Sequence, residues 1–511
     1  MIRRTISAGL AICMVFSLCS CKKTPNVIQT EEQQDNVSFI SVMLGDKNIE
    51  EWNENHIIAN VAWNSLRLSE DDAAKFPELK KTFDKQNVNA LKDAKAQMYE
   101  LMNAAKDLSG DALNPLFLNG TSKTYIQRAD SEIVSYLEGV SIYAGGIHPD
   151  YFYKAVNLNP TTGGNLNFTD IISNQEALPR ILSDAIIKKY YYINFGENQP
   201  ETILKEYSSE DYTWTLDYQG ITFWFSPYDI ASYAVGPLSV KLYFDENPNI
   251  IKEKYKKAPS ESFGMMLPFS QKIDFDLNPD DGQKDYIEID TTPDGYGGNY
   301  NMLSVTVNGK TFTDEINYAY DFDVYLANVG DKNFIYSDSW SDNDYHMFCI
   351  WDIDGQKLDK VHELYGTKLS DTFVEEGEEN EAVYQTVLNN PASFKLDERL
   401  DVLGTREIRA NYRISETDGI PEMTDKDYSF DGGQDVFLKI PLVAEILPEG
   451  DTEELGEGMR LTPCRTDGKT YVELMTENGW TVRFKIDLSG WPKTVNGIPE
   501  EECFEGLLYA G

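Results

Sequence analysis

The sequence predicts an α+β N-terminal module, in which helices flank an antiparallel sheet, followed by mostly-β C-terminal domains. Apolar residues recur at helical spacing in two stretches before residue 190, whereas residues 238–244 alternate between apolar and polar. Beyond residue 270 a segment repeats after 47 or 48 residues, and Asp-Gly and Asn-Gly pairs punctuate short strands after residue 400. Since 41% of the 511 residues are hydrophobic, we expect about two to four folded domains.

The first residues resemble the signal segment of a bacterial lipoprotein. Two arginines precede an apolar run over residues 6–18, which is shorter than the roughly 20 residues needed to span a bilayer. The run leads into Leu-Cys-Ser-Cys, a lipobox pattern whose last residue, Cys21, would take the lipid. We therefore predict loss of residues 1–20, a flexible tether over 21–37 and anchoring to the extracellular face of the cell membrane. The alternative is an ordinary signal peptide with incidental cysteines.

The N-terminal module is predicted over residues 38–255. Its first helix is indicated by apolar residues at helical spacing with Gly110 as a stop, and its second by a similar pattern with Pro179 in the first turn. The apolar residues are Val88, Leu91, Ala94, Met98, Leu101 and Ala105 in the first helix, and Leu178, Ile181, Leu182, Ala185 and Ile186 in the second. Strands at 221–225 and 238–244 complete the α+β unit.

Two strings in this module resemble the extracellular domain of RsiV-type anti-sigma factors, a domain also found in PdaC-type deacetylases. They are Tyr-Ala-Gly-Gly-Ile-His-Pro at 143–149 and Phe-Ser-Pro-Tyr-Asp-Ile-Ala-Ser-Tyr-Ala-Val-Gly-Pro at 225–237. Their glycines and prolines predict tight turns between strands. We expect His148 and Tyr151 on a ligand-binding surface, and a hydrogen-bonding role in the turn is the alternative for His148.

Residues 270–370 are predicted to form two β repeats, which are similar to the FG-GAP type of extracellular repeat. Ile-Asp-Phe-Asp at 273–276 corresponds to Tyr-Asp-Phe-Asp at 320–323, and Val-Asn-Gly-Lys at 307–310 corresponds to Ile-Asp-Gly-Gln at 353–356. The period is that of a four-stranded blade, but two copies cannot close a propeller ring.

The first repeat contains an acidic loop whose oxygen atoms suit calcium. The candidate ligands are Asp274, Asp276, Asn278, Asp280 and Asp285. Their spacing departs from the usual calcium loop by one inserted residue, so an acidic hairpin turn is the alternative. The sequence indicates no other cofactor.

The C-terminal part begins with a glutamate-rich stretch, residues 371–382, which predicts an acidic linker. Residues 383–511 predict a β-rich domain, with a small SH3-like barrel as one option. Trp480, Trp491 and Phe504 are expected in its core. Cys464 and Cys503 lie in the same segment and would pair in a disulfide if the organism oxidises its exported proteins.

Charge and motifs narrow the function that we expect. A net charge of −40 disfavours binding to nucleic acid and favours basic partners. No H-E-x-x-H, G-x-S-x-G, P-loop or paired-cysteine zinc motif occurs, so we expect no enzymatic activity. The resemblance implies a cell-envelope protein that recognises lysozyme or another basic extracellular protein. The alternatives are a module that adheres to cell-wall glycan or peptide, and an envelope enzyme of unknown type.

Overall fold

The computed structural model describes residues 37–53, 56–107, 118–196, 199–293, 300–342, 345–374, 382–432 and 434–509, without the side chains of 314–318. The predicted signal peptide, the lipid site Cys21 and the tether up to residue 36 lie outside these residues. So do Gly110 and residues 375–381. Within the described part of the chain, no helix is both long and apolar enough to cross a membrane.

The N-terminal sheet begins with five strands and carries two helices. They are β1 (Val42–Asn53), β2 (His56–Leu68), α1 (Glu70–Lys75), α2 (Pro77–Asp107), β3 (Leu118–Ala129), β4 (Val134–Tyr143) and β5 (Asp150–Leu158). The first predicted helix is therefore confirmed as part of α2, and its apolar face packs on Val61 and Trp63 of the sheet. Val88 departs from the expected pattern because it is exposed on the outer face of α2.

One pair of strands in this sheet is parallel, which the sequence did not indicate. Ala59 to Trp63 of β2 run beside Leu118 to Ser122 of β3 in the same direction, whereas β1–β2, β3–β4 and β4–β5 are antiparallel. The cause is the length of α2. Its 31 residues extend about 46 Å, and the 13 residues of β2 extend about 43 Å. The helix therefore returns the chain to the end of the sheet from which β2 started.

A smaller α+β layer follows and packs beside the sheet. It consists of α3 (Phe168–Ile171), α4 (Leu178–Lys189), α5 (Pro200–Leu204), β6 (Thr213–Leu216), β7 (Gly220–Phe225) and β8 (Leu238–Tyr243). The second predicted helix and both predicted strands are thus present as α4, β7 and β8. The strands form a sheet in the order β6-β7-β8. Leu182 and Ile186 of α4 are buried in one core with Phe223 and Val240.

The internal repeat forms two antiparallel four-stranded sheets. The first contains β10 (Lys272–Phe275), β11 (Asp285–Pro293), β12 (Asn301–Val307) and β13 (Lys310–Ala319), and the second contains β14 (Asp321–Val329), β15 (Lys332–Ser341), β16 (Tyr345–Ile353) and β17 (Leu358–Tyr365). A preceding strand, β9 (Phe263–Met266), pairs with β14 at the edge of the second sheet. The sequence period therefore corresponds to one sheet per copy.

The predicted acidic linker is partly strand, which corrects the expectation for residues 371–382. After β18 (Thr367–Leu369), the chain forms β19 (Asp371–Val374) and β20 (Ala382–Thr386). These two strands pair with each other, and β20 pairs with β1 in the register Met43–Thr386. The order of the N-terminal sheet is therefore β19-β20-β1-β2-β3-β4-β5. As a result, residues from 37 onward form one compact unit instead of separate domains.

The C-terminal strands join one branched sheet, which also includes β18. Its other elements are β21 (Phe394–Asp401), β22 (Thr405–Ile414), β23 (Pro421–Met423), β24 (Tyr428–Phe430), β25 (Val436–Leu438), β26 (Leu442–Leu447), β27 (Thr452–Leu455), β28 (Arg460–Thr466), β29 (Tyr471–Thr476), β30 (Thr481–Asp487), β31 (Thr494–Val495), β32 (Ile498–Pro499), α6 (Glu500–Cys503) and β33 (Phe504–Glu505). Phe504 is buried as expected, but Trp480 and Trp491 are exposed, so their prediction as core residues is wrong.

The predicted disulfide between Cys464 and Cys503 is not formed, and both thiols are free. Cys464 lies on β28, where its Sγ donates to the carbonyl oxygen of Glu473 at 3.2 Å. Cys503 is buried at the end of α6, with its Sγ 3.8 Å from the carbonyl oxygen of Ile498. Burial raises the pKa of the Cys503 thiol to about 11, which keeps it protonated at neutral pH.

Candidate ligand-binding surface

The two strings that carry the family resemblance meet at the protein surface. The first forms the turn between β4 and β5, and the second forms the connection from β7 to β8. The imidazole ring of His148 stacks on the ring of Tyr233 with their centroids 3.8 Å apart. The hydroxyl of Tyr233 donates to the carbonyl oxygen of Pro149 at 2.5 Å. The contact joins residues that are 85 positions apart in sequence, and it fixes the turn against the connection.

Next to this stack, two large side chains are presented to solvent. Ile147 is fully exposed, and 71% of Tyr228 is exposed although its ring lies 5.8 Å from that of Tyr233. We call the four residues Ile147, His148, Tyr228 and Tyr233 the aromatic ridge. Exposed apolar side chains are common singly, but a group of them held in one place is typical of an interaction site.

The backbone beneath the aromatic ridge is held in an uncommon conformation. Tyr228 has a φ of +78°, which L-residues rarely adopt because of the clash with Cβ. The turn is retained because Asp229 accepts a hydrogen bond from the backbone N–H of Ser226 at 2.7 Å. The hydroxyl of Ser226 in turn accepts from the backbone N–H of Tyr153 on β5 at 3.1 Å. Strain that is held by specific bonds is often found at functional sites.

Tyr151, the other predicted surface residue, lies in a neighbouring groove of about 540 Å³ instead of on the ridge. It packs edge-on against Tyr153 with centroids 5.2 Å apart and is half-buried. Pro237, the last residue of the second string, also lines the groove, together with Lys123 and Phe269. His148 and Tyr151 therefore lie close in the chain but face two adjoining features.

The groove holds a lysine that is committed to ion pairs. The Lys123 Nζ lies 3.1 Å from an Oδ1 of Asp321 and 3.2 Å from an Oδ1 of Asp323. Burial by itself would lower the pKa of Lys123, but these carboxylates outweigh it and raise that pKa well above its ordinary value. The amine therefore remains protonated, and it lacks the free lone pair that a nucleophilic lysine needs.

The predicted calcium ligands are not gathered around a common point, which corrects that expectation. Among the described residues, they are absent from the group of acidic side chains close enough to share an ion. Asp274 instead pairs with Lys189 at 2.9 Å and Asp276 with Lys284 at 2.6 Å.

The remaining ligands of the predicted set are engaged in local hydrogen bonds. Asn278 accepts from the backbone N–H of Asp280 at 3.3 Å. Asp285 accepts from the backbone N–H of Leu277 at 3.0 Å and from the side chain of Asn308 at 2.6 Å. The loop is therefore the acidic turn that the sequence left open as an alternative.

A different acidic group contains side chains within sharing distance, namely Asp371, Asp397, Glu407 and Asp431. Their positive charge is already supplied by protein side chains. Arg409 lies 2.6 Å from Asp397 and 2.7 Å from Asp431, and Lys368 lies 2.6 Å from Asp371. This arrangement satisfies the carboxylates without an ion.

Sequence reasoning missed two of the ridge residues, Ile147 and Tyr228. Both stand inside the strings that were singled out, but the strings were interpreted mainly as turns. The available signal was a large apolar side chain next to Gly-Gly or Pro in a predicted turn, since such residues have little core to enter. The contact between the strings has no local signal, because the two strings belong to different sheets.

Comparisons with known proteins agree with the second of these strings. Residues 169–245 match the family described as "Protein of unknown function (DUF3298)". The chain is similar to a solved DUF3298 family member from Bacteroides fragilis NCTC 9343, with 18% identity and a TM-score of 0.30 over 42% of this chain and 94% of that one. A DUF3298 family protein from Pseudomonas aeruginosa PAO1 is similar with 11% identity and a TM-score of 0.29, over 43% of this chain and 96% of that one. No curated protein matches.

Proposed function

We propose that this protein is a non-enzymatic cell-envelope protein, lipid-anchored through Cys21, that binds a basic extracellular protein through the aromatic ridge. The observation that carries the proposal is the stack of His148 on Tyr233, which holds Ile147 and Tyr228 out into solvent. Rigid aromatic side chains contribute large contact areas at little entropic cost, so they are frequent anchors in protein interfaces.

Charge supports the choice of a basic partner. The chain has 85 acidic and 45 basic residues, and the ridge is flanked in sequence by exposed Asp150 and Asp229. An acidic surface around an apolar centre would steer a basic protein toward the ridge, and the apolar contacts would then hold it. The match of residues 169–245 to DUF3298 supports the resemblance of the second string to RsiV-type domains, for which lysozyme is the implied ligand.

The test is calorimetric titration of the whole ectodomain with lysozyme at about 0.15 M salt, where the Debye length is about 8 Å. We expect saturable one-to-one binding that Tyr228→Asn weakens by about tenfold or more, as for the loss of an anchoring residue. Asparagine tolerates the positive φ of Tyr228, so the turn is retained.

Tyr99→Asn is the matched control. Tyr99 lies on α2 and is 69% exposed, against 71% for Tyr228, so the same side chain is removed from an equally exposed place outside the ridge. The control should bind as the parent does. Equal weakening by both variants would indicate diffuse charge attraction, and absence of saturable binding would remove lysozyme as the ligand; either result overturns the proposal in this form.

A further inference from the structure

A pocket of about 220 Å³ lies between α2 and the N-terminal sheet, on a part of the molecule that the ridge does not use. The middle of α2 forms one wall with Gln86, Asp93 and Gln97, and strands β2 to β5 form the other. In liquid water each molecule takes about 30 Å³, so the pocket has room for several waters or for one small organic molecule. It is therefore a chamber of ligand size and not a packing defect.

Two amides that line this pocket have buried atoms without a hydrogen-bond partner among the described residues. They are the Oε1 of Gln86, an acceptor, and the Nε2 of Gln97, a donor. A buried polar atom that lacks a partner costs about 1–3 kcal/mol. Native proteins tolerate few of them, and each such atom calls for an explanation such as a bound water or ligand. Here a donor and an acceptor remain open in the same chamber.

The position of Gln97 is built into the backbone of the sheet. A Cβ atom at Gly120 of β3 would lie only 2.3 Å from the Gln97 Nε2. The absence of a side chain at Gly120 therefore leaves room for the amide to lie over the strand. Any other residue there would push Gln97 away, so the fold accommodates the open amide instead of replacing it.

The other walls combine an apolar surface with carboxylates. Trp63 and Val61 line the pocket from β2, and both are buried in the core that α2 covers. Glu138 and Asp93 add acceptors, and Lys154 adds a donor at the same pocket. Burial raises the pKa of Glu138, with Lys154 opposing and Asp93 reinforcing the effect. Two carboxylates disfavour an anion, while the amides and the apolar wall offer little to a bare cation.

We propose that the pocket under α2 binds one neutral sugar ring, either free or at the end of a glycan chain. Such a ring offers hydroxyl groups that donate to Gln86 and Glu138 and accept from Gln97, and it offers C–H faces that pack on apolar walls. A pocket with an apolar lining and a few converging polar groups is the usual form of a small-molecule site. The inference is independent of the ridge, because no ridge residue lines this pocket.

The experiment compares the ectodomain with its Gln97→Leu variant, using N-acetylglucosamine and glucose as free rings and a soluble peptidoglycan fragment as a glycan chain. Leucine has nearly the volume of glutamine and suits a helix. Because it removes an unpartnered buried amide, the variant should be as stable as the parent or more stable. We expect sugar binding, measured by calorimetry, to weaken by about tenfold or more, the equivalent of one hydrogen bond of 1.4 kcal/mol.

Asn103→Leu serves as the control, since Asn103 is on the same helix but bonds Lys106 and does not line the pocket. It should bind sugar as the parent does. Binding of free rings and fragment alike identifies a site for a single ring, and binding of the fragment alone identifies a chain end; both support the proposal. Binding of no probe, or binding unchanged by Gln97→Leu in a variant that folds, overturns it and leaves water as the occupant.

Discussion

The substitution Arg128→Met should be among the most destabilising single changes in this protein. Arg128 and its partner Asp130 are both fully buried, with the Nε 2.6 Å from the Asp130 Oδ2. The other two guanidinium nitrogens donate to the carbonyl oxygens of Tyr255 and Lys257, each at 2.6 Å. One side chain on β3 therefore fixes the segment that follows the DUF3298-matching residues to the N-terminal sheet.

The magnitude follows from what the substitution leaves behind. Methionine fills much of the space, so the cost comes from the buried Asp130 carboxylate and from two carbonyl oxygens that lose a charged donor. Breaking a buried ion pair by removing one partner costs about 3–5 kcal/mol. Asp130 retains the backbone N–H groups of Glu132 and Ile133, so we expect the free energy of unfolding to fall by a value in that range.

The cost should also depend on pH. Burial already raises the pKa of Asp130, although Arg128 opposes this effect. Loss of the guanidinium raises that pKa further. A carboxyl group whose folded pKa is raised contributes stability at low pH and loses it as pH rises through the folded value. The penalty of Arg128→Met should therefore be larger at pH 8 than at pH 5.

The assay is urea denaturation followed by tryptophan fluorescence, with the slope m checked for each variant. Arg180→Met is the control, because Arg180 is 78% exposed and lies 3.9 Å from Asp184; its loss should cost under about 0.5 kcal/mol. The double variant Arg128→Met with Asp130→Asn should recover part of the loss. If Arg128→Met lies within about 1 kcal/mol of the control, the buried pair does not fix the two layers together.

Two further outcomes are expected. Burial, aided by Asp397 and Asp371 and opposed by Lys368, raises the pKa of Glu407 to about 7, so its contribution to stability is lost as pH rises from about 4.5 through 7. Glu407→Gln should then raise the Tm at pH 8 and have less effect at pH 5, and an equal effect at both would contradict the raised pKa. Cys21→Ala should remove the lipid, so that the protein leaves the membrane fraction or stays uncleaved; correctly cleaved protein that remains on the membrane without acyl mass would refute the anchor.

Local patterns predicted local elements well. Helical spacing located α2 and α4, and the repeat period located two four-stranded sheets, because both signals depend on neighbours within one element or one meander. The calcium site was wrong because the charges that satisfy it come from elsewhere in the chain. Lys189, for example, is 85 residues from Asp274, the carboxylate that it neutralises.

The candidate site was predicted in part for the same reason. Its two strings could be found in the sequence, but the stacking of His148 on Tyr233 depends on how two sheets pack. The strands β19 and β20 were missed because a glutamate-rich stretch separates them and hides the hairpin. Their pairing with β1 has no signal near either strand.

The late return of the chain to β1 has a consequence for biosynthesis. The side chain of Asn389 donates to the carbonyl oxygen of Ile40 at 2.6 Å, across 349 residues of sequence. At bacterial elongation rates of about 5–20 residues per second, those residues take about 17–70 s to synthesise. Throughout that time β1 presents an open edge on which another nascent chain could add a strand. Productive export therefore depends on a holding factor or delayed folding, and fragments that stop before β20 should aggregate even when every other element is intact.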